Sequence, residues 1–312
     1  MKKHITSFDG TMSSRLVYGT MQFGGKADTI AATEMFEACI EAGITHFDTA
    51  NVYNDGKSEE MLRKLASPIR DKLIIASKIG YTGGSGASNL KSQFADTRRR
   101  LGSDAVDILY LHRFDPNTRL EETFETLASF QNKGQIRYIG VSNFAAWQVM
   151  KAQYAAQSCG TQIDIVQPMY SLVKRQAEVE LLPMCQDQGI KAATYSPLGS
   201  GLLTGKYNRA SPSGRLATDD RYAARYAQAW MHETAKSLNS LAHDINVSPI
   251  TLAVAWAMTH PSSPDPIISA RDVQQLRPSL AALNYKMGSE LRKRISDLSI
   301  APPPATDRIE EA

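Results

Sequence analysis

The sequence predicts an α/β fold: a single (β/α)8 barrel with a long loop after the seventh strand and an extra C-terminal helix. Three observations carry that reading. Eight short apolar runs alternate with helix-length amphipathic stretches, and strands separated by helices of this length imply a parallel sheet with crossover connections. The 312 residues, 42% of them hydrophobic, suit one barrel of roughly 250 residues with extensions. No composition break or low-complexity linker divides the chain. Residues 1–312 therefore read as one domain, the barrel spanning about 14–300 and a Pro-rich tail 301–312.

In chain order, residues 16–18 read as the first strand and 29–42 as a helix, with Met35, Phe36 and Ile40 among its spaced apolar positions. Gly43 ends that helix, because glycine takes the left-handed angles of a helix stop at little cost. Strands at 45–48, 73–76, 106–111 and 136–141 follow, separated by helices at 58–65, 90–101 and 120–132. Helices 147–157 and 177–188 then alternate with strands 163–167 and 191–195. Beyond a polar loop, 205–225, come helices 230–245 and 249–258, the eighth strand 266–269 and a helix at 273–283. That loop contains Pro212 and Gly214; on a barrel it lies on the active-site side, as a partly mobile cover for cofactor or substrate. Pro302, Pro303 and Pro304 bar a helix and imply polyproline over the surface.

Lys and Arg number 35 against 32 Asp and Glu, a formal charge of +3, and no basic run with interleaved aromatics marks a nucleic-acid partner. Arg98, Arg99 and Arg100 read as a solvated helix face. No run of ~18 apolar residues suits a membrane span, and the first ten residues lack the apolar segment of a signal peptide. Cys39, Cys159 and Cys185 show no CxxC spacing and read as reduced, buried thiols of a cytoplasmic protein. No metal site is expected.

Four polar residues, Asp48, Tyr53, Lys78 and His112, stand at or just beyond the ends of strand-like runs. In a parallel barrel those ends converge on one mouth. Singly, each has a structural reading: a turn-forming Asp, a half-buried Tyr, a snorkelling Lys, a satisfied His. Together they suit a tyrosine proton donor, whose pKa of about 10 a nearby ammonium and imidazole can lower.

The segments 43–53 (GITHFDTANVY), 77–78 (SK), 107–113 (DILYLHR), 140–144 (GVSNF), Gln167 and 195–203 (YSPLGSGLL) resemble the signature blocks of the aldo-keto reductases. They come in the family's order and the resemblance covers 16–283. It implies a barrel that transfers hydride from NAD(P)H to carbonyls without a metal. It makes Tyr53 the general acid, Lys78 the group that lowers its pKa, Asp48 the partner of Lys78, and His112 the residue that orients the carbonyl or helps the proton along. Asp48 also counts among the cofactor-binding residues. Ser142, Asn143 and Gln167 would bind the nicotinamide carboxamide, and Tyr195 would stack on the ring. Gly19, Thr20 and Met21 would let the cofactor approach backbone. Ser196, Leu198, Ser200, Gly201 and Leu202 would wrap the pyrophosphate, with Lys206 adding charge. At the adenine end the chain departs from the common pattern: Ser269, Arg271 and Gln275 remain, and Ser279 stands where an Asn is frequent. Arg271 implies NADPH over NADH.

No Rossmann fingerprint competes, since 199–205 (GSGLLTG) is one residue too long and opens no first βαβ unit. The substrate reads as a small carbonyl or alcohol. Its identity rests on loops 23–28, 81–89, 114–117 and 205–225, with Met21, Phe23, Tyr81, Phe114 and Trp230 as candidate pocket walls. Two alternatives stand beside this reading: an NADPH-binding, channel-associated regulatory subunit with slow turnover, and a Schiff-base aldolase using Lys78. Nothing in the chain reads as a dedicated assembly segment, and the oligomeric state stays open.

Overall fold

A computed structural model of the chain describes residues 4–208 and 214–311. Eight parallel strands pair in chain order: β1 (Val17–Gly19), β2 (His46–Asp48), β3 (Ile74–Ile79), β4 (Val106–Leu111), β5 (Ile136–Ser142), β6 (Ile165–Gln167), β7 (Lys191–Tyr195) and β8 (Asp265–Ile268). β8 returns to β1 and closes the barrel. This is the (β/α)8 architecture that the alternating pattern predicts.

Side-chain alternation divides each strand between two apolar layers. Val17, Ile74, Ala76, Ile108, Tyr110, Tyr138, Ile165, Ala193 and Ile267 form an inner cluster. Their neighbours Tyr18, Ile75, Leu109, Ile139, Val166 and Ala192 join the outer core beneath the helices. The outer layer packs against α1 (Thr29–Glu41), α2 (Lys57–Ala66), α3 (Ala87–Leu101), α4 (Leu120–Asn132), α5 (Ala146–Ser158) and α6 (Leu181–Asp187). After β7 come α7 (Arg215–Thr218), α8 (Asp220–Arg225), α9 (Ala229–Asp244) and α10 (Pro249–Met258), then α11 (Val273–Leu280) and the additional α12 (Ser289–Ser296).

Local chemistry sets the boundaries. The Asp28 side chain accepts the Ala31 N–H at 2.9 Å and starts α1; Ser248 and Pro249 start α10 in the same way. Three expectations shift. β3 runs on through Lys78 to Ile79 instead of stopping at Ala76. The helix expected over 177–188 begins only at Leu181, after a 3-10 turn at Gln176–Glu178. Pro183 explains this, since it fits the first turn of a helix, where an N–H has no partner, but not the interior. The loop 205–225 is less irregular than expected, because α7 and α8 lie within it; Pro212 falls outside the described residues.

The N-terminal end of the barrel carries a floor that the sequence pattern did not reveal. Thr6 and Met12 form an antiparallel bridge, and Ile5, just before it and accepting the Ser13 N–H at 2.9 Å, is 1% exposed and enters the inner cluster. Arg137 binds the Thr6 carbonyl. Phe8 lies between the guanidinium groups of Arg70 and Arg137, at 5.2 and 5.1 Å. Both arginines reach buried Asp107, at 2.7 and 3.4 Å.

Candidate active site

The inner parity of the strands, carried to their C-terminal ends, delivers Gly19, Asp48, Lys78, His112, Ser142, Gln167 and Tyr195 to one mouth. Register fixes their neighbours: Gly19 pairs with Asp48, Lys78 with Tyr110, and Ser142 with Gln167. The Lys78 ammonium is buried in contact with the Asp48 carboxylate. It also donates to the Thr49 carbonyl at 2.7 Å and to the Tyr53 hydroxyl at 3.4 Å. The second Asp48 oxygen accepts from the Gln167 amide at 2.8 Å. His112 meets the Tyr53 ring edge-on at 6.1 Å, and Tyr81 closes over the imidazole at 5.0 Å.

Tyr53 reaches the mouth from a 3-10 turn after β2 (Tyr53–Gly56) in which Asn54 and Asp55 take left-handed angles, φ 50° and 56°. Such backbone persists only where its surroundings hold it. The Asn54 amide donates to the carbonyls of Met21 and Phe23, at 3.0 and 2.8 Å, tying this turn to the loop after β1. Ser58, the second residue of α2, joins Thr20 and Thr49 through hydroxyl contacts of 2.8 and 3.0 Å.

Burial dominates the electrostatics. Desolvation opposes the Lys78 charge, but Asp48 and Tyr53 outweigh it and hold the ammonium protonated. Burial lifts Asp48, with Lys78 and Gln167 opposing. The sequence expectation of a lowered Tyr53 pKa needs correction: desolvation raises it, Lys78 pulls it back, and the net shift is upward. Desolvation, with Lys78 and Arg113, pushes His112 down to about 3, so its imidazole is neutral near pH 7. The buried Nδ1 of that imidazole has no hydrogen-bond partner among the described residues.

A second set of residues lines the mouth beside this cluster. The Ser142 hydroxyl donates to the Gln167 carbonyl at 2.9 Å. Asn143, at φ 59°, donates to the His112 carbonyl at 2.9 Å and accepts from the Tyr195 hydroxyl at 2.7 Å. After β7 the chain turns through Ser196 (φ 61°), Gly199 (φ 55°), Ser200 (φ 54°) and Gly201 (φ 93°). The Lys206 ammonium packs where a side chain on residue 201 would go, 2.8 Å from the position of a Cβ. Ser200 Oγ is buried with no hydrogen-bond partner among the described residues.

The sequence profile of the aldo/keto reductase family matches residues 15–300. The chain belongs to the aldo/keto reductase family. Among curated relatives, an uncharacterized oxidoreductase of Bacillus subtilis is 28% identical over 94% of this chain and 94% of its own. L-glyceraldehyde 3-phosphate reductase of Escherichia coli is 32% identical over 78% of this chain and 76% of its own. A probable voltage-gated potassium channel subunit beta of Arabidopsis thaliana is 30% identical over 88% of this chain and 89% of its own. The protein is an oxidoreductase of a family that works on carbonyl compounds with nicotinamide cofactors.

Several expected site residues lie elsewhere in the reductase than the sequence suggests. Phe23 is fully buried against Tyr18, at 5.5 Å between ring centres, and is core rather than pocket wall. Tyr81 and Met21 do reach the surface of the mouth side, at 44% and 36% exposure. Beyond β8, Ser269 and Gln275 are exposed and Arg271 half-buried, whereas Ser279 is buried on the inner face of α11. The Gln275 amide is engaged with Asp272 at 2.6 Å. Cys159 is only partly buried, unlike Cys39 and Cys185. The Arg98–Arg100 run is not a uniformly solvated face: Arg100 turns inward to buried Glu59 at 3.3 Å, and Glu59 accepts from the Ser77 hydroxyl at 2.7 Å. Sequence reasoning passed over Thr49, Ser58 and Glu59. No helix among the described residues is long and apolar enough to cross a membrane.

Proposed function

We propose that this reductase transfers hydride from NADPH to an aldehyde or ketone, or runs the reverse alcohol oxidation, with Tyr53 as general acid. The observation that carries the reading is the Lys78 ammonium, which contacts the Asp48 carboxylate and the Tyr53 hydroxyl together. Hydride arrival builds alkoxide character on the carbonyl oxygen. A donor aimed at that oxygen, with a fixed positive charge behind it, stabilises the transition state more than the substrate. The upward shift of Tyr53 keeps its proton in place until it is needed. Lys78 then stabilises the phenolate left behind. Asp48 keeps Lys78 charged and positioned, and neutral His112 orients the carbonyl through its N–H.

Tyr195, Ser142, Asn143 and Gln167 offer an aromatic face and amide-binding groups side by side, suited to a nicotinamide, which supplies the hydride. The left-handed turn after β7 has an orphaned Ser200 hydroxyl and the Lys206 ammonium beside Gly201, as a pyrophosphate requires. Gly19, Thr20 and Met21, at the end of β1, border the same mouth; Ser196, Leu198 and Leu202 complete the turn. Arg271 has no carboxylate partner among the described residues, while Ser269 and Gln275 flank it; a 2′-phosphate would complete this corner. Ser279 lies one turn beyond Gln275 on α11 and is buried.

The test is a panel of aldehydes and ketones with NADPH and NADH, on wild type and Tyr53→Phe. NADPH-dependent reduction that collapses in the variant is expected; a variant with full activity overturns the mechanism. Equal efficiency with both cofactors overturns the NADPH assignment. A second reading, an NADPH-binding channel subunit with slow turnover, draws support from the 30% identity to the plant protein named as a channel subunit. Turnover of an aromatic aldehyde well below about 1 per second would favour it. A Schiff-base role for Lys78 is disfavoured, because an ammonium held by Asp48 lacks the free lone pair that attack requires.

A further inference from the structure

The residue that follows His112 is an exposed arginine with no carboxylate at ion-pair distance among the described residues. Arg113 lies over the face of Tyr81 at 5.0 Å, and Tyr81 in turn meets the His112 imidazole at 5.0 Å. Two successive ring contacts therefore join the guanidinium to the reacting end of the mouth. On its other side Arg113 lines a recess of about 390 Å³ with Gly83, Gly84, Phe114 and Asp115.

Asp115 is the acid nearest in sequence; its charge and that of Arg113 act on each other, but from beyond ion-pair distance, because its oxygens are held elsewhere. Its carboxylate accepts the Ser85 N–H at 2.7 Å, the Asn117 N–H at 2.9 Å and the Thr118 hydroxyl at 2.6 Å. The other arginine whose charge acts on Tyr81, Arg221, is neutralised by Asp219 at 2.9 Å. Arg113 thus makes no direct ion pair among the described residues and is held by stacking on Tyr81, with its fork of donors available to a planar or tetrahedral anion.

Resting on the carbonyl-reductase reading above, we propose that Arg113 selects substrates bearing an anionic group, a carboxylate or a phosphate monoester, a short chain away from the carbonyl. Such a substrate places its carbonyl at Tyr53 and His112, runs over the Tyr81 ring, and ends on the Arg113 guanidinium. A charge-assisted hydrogen bond at a partly exposed site favours the anionic compound by roughly tenfold or more, and the preference weakens with added salt.

The experiment compares kcat/KM for 4-carboxybenzaldehyde, 4-formylphenyl phosphate and the neutral 4-formylbenzamide, on wild type, Arg113→Gln and Arg113→Lys. The expected result is a preference of about tenfold for at least one anion over the amide, carried mainly in KM. That ratio falls to near one in Arg113→Gln and is partly kept in Arg113→Lys; the anion with the larger ratio identifies the group. Equal efficiency on all three compounds in wild type overturns the proposal. So does a Gln variant that loses anion and amide activity in equal measure, which marks Arg113 as structural. Failure of the underlying reading looks different: no compound then consumes NADPH at all.

Discussion

The two ends of the barrel both bury charge, and they do so in opposite ways. At the floor, Asp107 is saturated: it meets Arg70 and Arg137 and accepts the Ile75 N–H at 2.9 Å. Asp265 lies between Arg15 and Lys191, at 3.1 and 3.3 Å, with an Oδ1 that accepts no hydrogen bond among the described residues. At the mouth a single lysine is shared between one carboxylate and a tyrosine hydroxyl; a buried imidazole nitrogen with no partner among the described residues occurs at both ends, on His112 at the mouth and on His46 at the floor. A saturated network fixes geometry. A cation shared with a tyrosine hydroxyl leaves a proton donor at its side, and that difference separates the residues that hold the barrel from those proposed to work in it.

The comparison breaks most sharply at Tyr53. Tyr53→Phe should lower kcat by about 10³ with little change in the urea midpoint, because the hydroxyl makes only the 3.4 Å contact to Lys78. Steady-state rates and denaturant unfolding on the same preparation check it. Asp107→Asn should behave inversely, losing about 3 kcal/mol of stability, as expected when one partner of a buried ion pair is removed, with kcat within about twofold of wild type. If that variant instead lost its rate and kept its stability, the division between floor and mouth would be wrong.

Arg271→Ala should raise KM for NADPH about tenfold and leave KM for NADH near its wild-type value, since a phosphate ion pair affects only one cofactor. The smallest effect concerns His46, which burial pushes down to about 3, with Lys78 and Lys191 adding to the shift. The unfolded chain titrates this group near 6.5, so between those values it binds a proton that the folded chain refuses, and stability falls as pH falls through that window. Asp107 and Asp265, raised by burial, act in the opposite direction. His46→Asn should therefore flatten the acid side of the stability curve by about 1 kcal/mol at pH ~5.5; an unchanged slope removes His46 as its source.

Part of the mouth was legible because Asp48, Tyr53, Lys78 and His112 stand at or just beyond the ends of apolar runs; Ser142, Gln167 and Tyr195 were singled out only through the resemblance to the family. Arg100 and Glu59 were not legible: both sit in helices whose composition reads as solvated, and only tertiary packing turns them toward each other. The hairpin from Thr6 to Met12 escaped for another reason, being too short to show any period. The direction of the Tyr53 shift was also out of reach, because the sequence names the cation but not how deeply the phenol is buried.

That hairpin has a consequence for traffic. With Ile5 lodged among the inner side chains, the barrel is a cup and not a tube. On the proposed reading, both reactants reach Tyr53 from the mouth side, since packed side chains fill the barrel below it down to Ile5.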